Sequence, residues 1–155
     1  MAASLPPLFF GNVEATESKF QPLNLTFDHT KRTTFDEGAN VRARDQLQET
    51  PLHVAAGLRM AAAVDVLIEA GADVNAVSNV NRSTPLHDAV QTIRAYRSVE
   101  GLRVVRALIE NGANVNAKTT AGETALEIAR RMPGMRRDDP LLQVLRDAAK
   151  KNAPF

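Results

Sequence analysis

Three histidines, His29, His53 and His87, are the only side chains of this 155-residue sequence whose ordinary pKa lies near neutrality. General acid–base work would need one of them set beside a carboxylate or a nucleophile. The acidic residues are scattered, and no pair is forced into the close approach that separates two pKa values. His53 and His87 stand 34 positions apart inside the same phrase, Thr-Pro-Leu-His, so they are one residue repeated and not two converging on a site. Cysteine is absent, which removes disulfides, thiolate nucleophiles and cysteine-bound metals. The eight glycines are isolated helix stops and turns, not a phosphate-cradling loop. The sequence therefore predicts no catalytic residue, no cofactor and no metal, and a chain that is not an enzyme.

Nucleic acid is an equally weak prospect. The net charge is +1, and residues 1–37, 38–123 and 124–155 carry −2, 0 and +3. Arg130, Arg131, Arg136 and Arg137 form a basic cluster, but no aromatic residue is interleaved with it, and a solvated surface has the same look. With 44% hydrophobic and 24% charged residues the composition is that of an ordinary globular protein, with no stretch approaching the roughly 18 apolar residues of a membrane span. Residues 1–10 are apolar but lack a basic start and are interrupted by proline, unlike a secretion signal. A cytoplasmic or nuclear, monomeric chain is expected.

The elements that must position these side chains are repetitive. Thr50-Pro51-Leu52-His53 returns as Thr84-Pro85-Leu86-His87, and more weakly as Thr124-Ala125-Leu126-Glu127. A second phrase keeps step: Gly38-Ala39-Asn40-Val41, Gly71-Ala72-Asp73-Val74 and Gly112-Ala113-Asn114-Val115. Threonine is a good N-cap, and proline at the first helical position has a preset φ and lacks only an N–H that would be unpaired. Val64, Leu67 and Ile68 have helical spacing in a second helix that Gly71 ends, and Val104 to Gly112 repeats that grammar. One unit could not bury its apolar face alone, so neighbours must stack.

Two phrases in register near a period of 33 resemble the ankyrin repeat, with its T-P-L-H signature. The resemblance implies a mainly all-α solenoid of stacked helix pairs with short β-hairpin fingers. It covers residues 38–152, in repeats of about 38–70, 71–111 and 112–152, with residues 153–155 as a tail. The same resemblance assigns His53 and His87 to hydrogen bonds that tie each helix start to a finger. It also implies binding of another protein through finger tips and the first helices. The residues so placed are Arg44, Gln46, Leu47 and Glu49; Val77, Asn79, Val80 and Arg82; Lys118, Thr120 and Glu123; and, on the helices, Leu58, Gln91 and Thr92. A host-directed effector, a toxin-neutralising immunity protein and a housekeeping adaptor would use the same surface. Leu67, Asp73 and Asn75 further match the spacing at which asparaginyl hydroxylases modify ankyrin fingers, marking Asn75 as a candidate modification site.

Three departures stand out. The second repeat carries about seven extra residues around Ala95 to Gly101. Leu86, Val90, Ile93 and Arg97 extend its first helix by one or two turns, either as a tolerated insertion or, through Tyr96 and Arg97, as a partner contact. Asp88 replaces the apolar residue found as Val54 and Ile128, and either reaches solvent or reads a cation on a partner. The third repeat lacks Pro and His, and Asp139-Pro140 opens a last helix with Leu141, Leu142, Leu145 and Ala148 on one face, as a C-terminal cap requires. Residues 1–37 form a non-repeat arm holding Phe9, Phe10, Phe20, Phe27 and Phe35. Leu23, Leu25 and Phe27 alternate as in a strand, so the arm is read as an aromatic cap, with a partner-binding tail or a degenerate repeat as alternatives.

Overall fold

The computed structural model describes residues 40–96 and 98–151, with side chains for 40–93 and 98–151, and two short strands before them. Strands β1 (Leu25–Thr26) and β2 (Thr34–Phe35) pair antiparallel, Leu25 opposite Phe35 and Thr26 opposite Thr34. The proposed aromatic cap otherwise lies outside the described residues.

Among the described residues six helices follow: α1 (Pro51–Gly57), α2 (Ala61–Glu69), α3 (Pro85–Tyr96), α4 (Val99–Glu110), α5 (Ala125–Arg130) and α6 (Pro140–Lys151). They pair as α1–α2, α3–α4 and α5–α6. α1, α3 and α5 pack on one another as an inner row, and α2, α4 and α6 as an outer row. The result is the expected solenoid of helix pairs. Leu52, Val64, Leu67, Leu86, Val90, Val104, Val105, Leu108 and Leu145 run through all three pairs as one continuous core. Alanines at 55, 56, 89, 125 and 129 lie in the same core, and their small side chains let the inner row approach closely. Among the described residues no helix is long and apolar enough to cross a membrane.

The first two helix pairs each close with a glycine in the left-handed region, Gly71 at φ 85° and Gly112 at φ 88°, where a β-carbon would be strained. The fingers that follow are tighter than the strand-built hairpins the resemblance implies. They are successive turns, each pinched across its base by a backbone bond: Asp45 N–H to Glu49 O (3.1 Å), Ser78 N–H to Ser83 O (3.0 Å) and Thr119 N–H to Glu123 O (3.0 Å).

The extra residues of the second repeat lengthen both of its helices. α3 and α4 have 12 residues each, against 7 in α1 and 9 in α2. Ile93, buried, continues the apolar stripe of Leu86 and Val90, and Ser98 caps α4 by accepting from Gly101 N–H at 3.1 Å. Gly101 is where the two helices meet: a β-carbon there would stand 2.6 Å from Ile93 Cγ1. Gly101→Ala is expected to cost about 1–3 kcal/mol through overpacking. An unchanged urea midpoint would show that the helices do not cross this closely.

The third helix pair buries the apolar face read from the sequence. Asp139 Oδ1 accepts from Leu141 N–H at 3.0 Å, capping α6. Leu141, Leu142, Leu145 and Ala148 are buried, while Gln143, Asp147, Lys150 and Lys151 face water.

Candidate interaction surface

The two histidines join each inner helix to the finger of the next repeat. His53 Nδ1 accepts from Thr50 N–H at 3.1 Å, so Nδ1 carries no proton and Nε2 must be the protonated nitrogen. Nε2 then donates to Ser83 O at 3.3 Å, across the repeat boundary. His87 does the same, accepting from Thr84 N–H at 3.2 Å and donating to Ala117 O at 3.1 Å. Burial is the main reason that both imidazoles sit below their ordinary pKa of 6.5. In the third repeat Glu127 takes the imidazole's local part, its Oε2 accepting from Thr124 N–H at 2.7 Å. Those two bonds to Thr124, backbone and side chain, hold the carboxyl below its usual range. Among the described residues no group of three acidic or histidine side chains is placed to hold a metal.

The fingers are also joined tip to tip. Asn79 N–H donates to Leu47 O, and Thr120 N–H to Asn81 O, both at 2.8 Å. Arg44 spans fingers one and two, its Nη1 reaching Gln48 O at 3.5 Å and Val77 O at 3.2 Å. Nearer the finger bases, Arg42 Nε donates to Gly71 O at 3.3 Å. One step along, Asn75 Nδ2 donates to Gly112 O at 3.0 Å and its Oδ1 accepts from Asn114 N–H at 2.7 Å. Both ends of the Asn75 amide therefore serve the junction between repeats.

This cross-bonding turns three short turns into one platform. The second finger is its most constrained part: Asn81 and Arg82 both adopt positive φ, at 53° and 54°, and Ser83 N–H closes the turn on Val80 O at 3.0 Å. Two successive left-handed residues without glycine are costly outside a well-supported turn. Elsewhere in the platform a single residue takes that conformation, Gln48 in the first finger and Gly122 in the third.

Leu47, Val77 and Val80 are 41%, 40% and 37% exposed, too much for core residues and unusual for apolar side chains on polar fingertips. Gln46, Asn79, Arg82, Lys118 and Thr120, on the same three fingers, are exposed. Leu58 is exposed too, but it caps the far end of α1, a helix length of about 10 Å from the fingers, and does not belong to this group. Glu123 is engaged in an ion pair with Arg131, and Thr92 bonds back to Asp88 O and Ala89 O within α3. Gln91 faces a groove of about 350 Å³ between the second and third repeats, together with Asn81, Thr120, Ile128 and Arg131. Of these, Asn81, Ile128 and Arg131 are not among the partner-binding residues that the sequence marks. The one available signal was the second finger's extra residue beside an asparagine, the type most tolerant of positive φ. The side chains of Tyr96 and Arg97 lie outside the described residues.

Asp88, on α3 just behind the second finger, is half-buried. Desolvation pushes its carboxyl up to about 7, nearby Glu49 adds to the rise, and a hydrogen bond with the Ser83 side chain opposes it.

A family profile described as ankyrin repeats, in three copies, matches residues 26–119. The chain belongs to the ankyrin-repeat family. The match begins at residue 26, earlier than the repeat boundary at 38 drawn from the sequence phrases, and takes in the strand ladder that precedes the first finger. Similar ankyrin-containing relatives include the BRCA1-associated RING domain protein 1 of Caenorhabditis elegans, 31% identical over 68% of this chain and 14% of that protein. The neurogenic locus Notch protein of Drosophila melanogaster is 39% identical over 62% of this chain and 3% of its own length. The mouse B-cell lymphoma 3 protein homolog is 39% identical over 52% of this chain and 16% of its own. The chain thus spans a small part of each of these relatives, and what is shared is the repeat array. Ankyrin repeats are generally protein–protein interaction modules without enzymatic activity of their own, and this array has the cross-linked framework that such binding surfaces are grafted onto.

Proposed function

We propose that this chain binds a partner protein across its first and second finger tips and the adjoining inner helices, without chemistry of its own. The observation that carries the reading is the apolar group Leu47, Val77 and Val80, held exposed on a platform whose backbone is bonded from finger to finger. Folding gains little from leaving three apolar side chains on polar turns, whereas an apolar centre with a polar rim is the usual anatomy of a protein interface. Arg82 and Asp88 supply polar discrimination beside that centre, and Tyr96 with Arg97 an outlying contact. Rigid fingers also reduce the ordering cost of association.

The test is an alanine scan of Leu47, Val80, Arg82, Asp88, Tyr96 and Arg97 against a partner recovered from lysate of the source organism. Truncating an anchor is expected to cost upwards of about 2 kcal/mol in binding. Substitutions at the exposed positions are expected to change stability by only about 0.5 kcal/mol. Normal binding by all six variants, with loss of binding from substitutions among residues 9–35 in a folded protein, would move recognition to the arm.

A further inference from the structure

Two exposed arginines of the first finger, Arg42 and Arg44, line one pocket of about 500 Å³ at the junction of the first two repeats. Thr50, Asp73 and Val74 also contribute to its wall. Among the described residues the ion pairs are made by Arg103, Arg131 and Arg136, so neither Arg42 nor Arg44 has one. Both guanidiniums are nonetheless held. Arg42 Nε donates to Gly71 O at 3.3 Å, just past the end of α2, and Arg44 Nη1 reaches Gln48 O and Val77 O. A carbonyl orients a guanidinium without cancelling its charge, and each fork has five N–H groups, most of which these bonds leave over. Fixing a cation in advance removes part of the entropy that pairing costs.

The pocket's own charges specify the occupant. Asp73 brings one negative charge to the same wall, and its Oδ1 is taken by Asn75 N–H at 2.9 Å. Two cations and one anion leave a single positive charge in excess. One carboxylate balances it, a phosphoryl dianion overshoots, and a lysine or arginine adds to the excess. Arg44 also connects this pocket to the fingertips, because one carbonyl it holds belongs to Val77 of the exposed apolar group.

We propose that the pocket of Arg42 and Arg44 receives an aspartate or glutamate side chain of the partner, next to the large apolar residue that covers Leu47, Val77 and Val80. This rests on the fingertip reading above and adds the chemistry of the occupant. The apolar contact supplies area and keeps water from the pocket mouth, which strengthens the charge pairing inside. The arginines supply selection. A neutral residue leaves them unpaired where water is being excluded, and a basic residue is repelled.

The test pans random peptides displayed on phage against the full chain. The peptides are joined to the coat protein by their C-termini, so any carboxylate enriched is a side chain. Binding of the enriched peptides is then measured on wild type, R42Q, R44Q, R44K, L47A and V80A, each confirmed folded by its thermal transition. Arg44 also braces two fingers, and R44K keeps its charge while giving up the fork, which separates the two roles. The expected result is enrichment of peptides pairing an acidic residue with a large apolar neighbour. Affinity should fall about tenfold for R42Q, fall further for R44Q than for R44K, and fall for L47A and V80A. Phosphoserine in place of the acidic residue should gain nothing, and tighter binding would overturn the choice of a carboxylate. Enriched peptides without acidic residues, equal affinity for wild type and R42Q, or no enrichment at all would overturn the proposal. If L47A and V80A weaken binding while R42Q and R44Q do not, the fingertip site stands and the acidic contact does not. If peptides bind and no variant matters, both readings fall.

Discussion

Replacing His87 by alanine is expected to destabilise the protein by about 3 kcal/mol, the largest loss from any polar substitution in the stack. The imidazole is 1% exposed, so its removal leaves a void and not a solvated surface. It also strands Thr84 N–H and Ala117 O, groups that no water replaces without entering the inter-repeat junction. At about 1 kcal/mol for each lost bond, with a further contribution from the cavity, the sum reaches that size. The pH dependence identifies the mechanism. Native His87 has a lowered pKa, so the folded state resists a proton that the unfolded chain accepts at about 6.5. Its stabilisation is complete above pH 6.5 and is lost as pH falls through the lowered native value. Urea unfolding of wild type and H87A across pH 5–8 should show the gap narrowing on the acid side. A gap that is small at every pH would mean that the imidazole does not tie the second repeat to the third.

Asp88→Asn is expected to do the opposite and stabilise the protein, by about 2 kcal/mol at pH 8. The native carboxyl titrates at about 7 against an ordinary 3.8, so the folded state holds a proton over that window that the unfolded state has released. Stability from the protonated form is complete below pH 3.8 and is lost as pH rises through about 7. At 1.36 kcal/mol for each pKa unit the full shift would approach about 4 kcal/mol; partial contact with solvent reduces that to about half. The gain of D88N over wild type should therefore be near zero at pH 4 and reach a plateau above pH 7, as read from thermal or urea transitions. A gain independent of pH would assign the effect to packing and not to charge. A carboxylate kept at such a cost, where Val54 and Ile128 stand in the neighbouring repeats, fits a residue retained for binding.

The parts of this structure legible in the sequence are those that local physics dictates. A threonine cap, a proline at the first helical turn, an apolar stripe and a left-handed glycine stop each act within a few residues, and their repetition located the helix pairs and the Asp139 cap. What lay beyond reading acts across repeats. Arg44 is an exposed fingertip arginine by sequence, and only the positions of Gln48 O and Val77 O make it a staple. Leu58 has the composition of a surface anchor, yet the length of α1 sets it apart from Leu47 and Val80. The loss of histidine from the third repeat was visible as a departure. Asp88 was visible as an acid in an apolar slot, but its nearness to Glu49 needed the neighbouring finger in place.

The central claim is that a protein partner docks on the cross-bonded fingers. Hydrogen–deuterium exchange of the full chain, free and saturated with the recovered partner, tests it most directly. The account predicts new protection in Asp45–Gln48 and Val77–Ser83 of the first and second fingers, with the outer helices α2, α4 and α6 unchanged. Protection confined to those outer helices, with the finger amides exchanging as in the free protein, would contradict it.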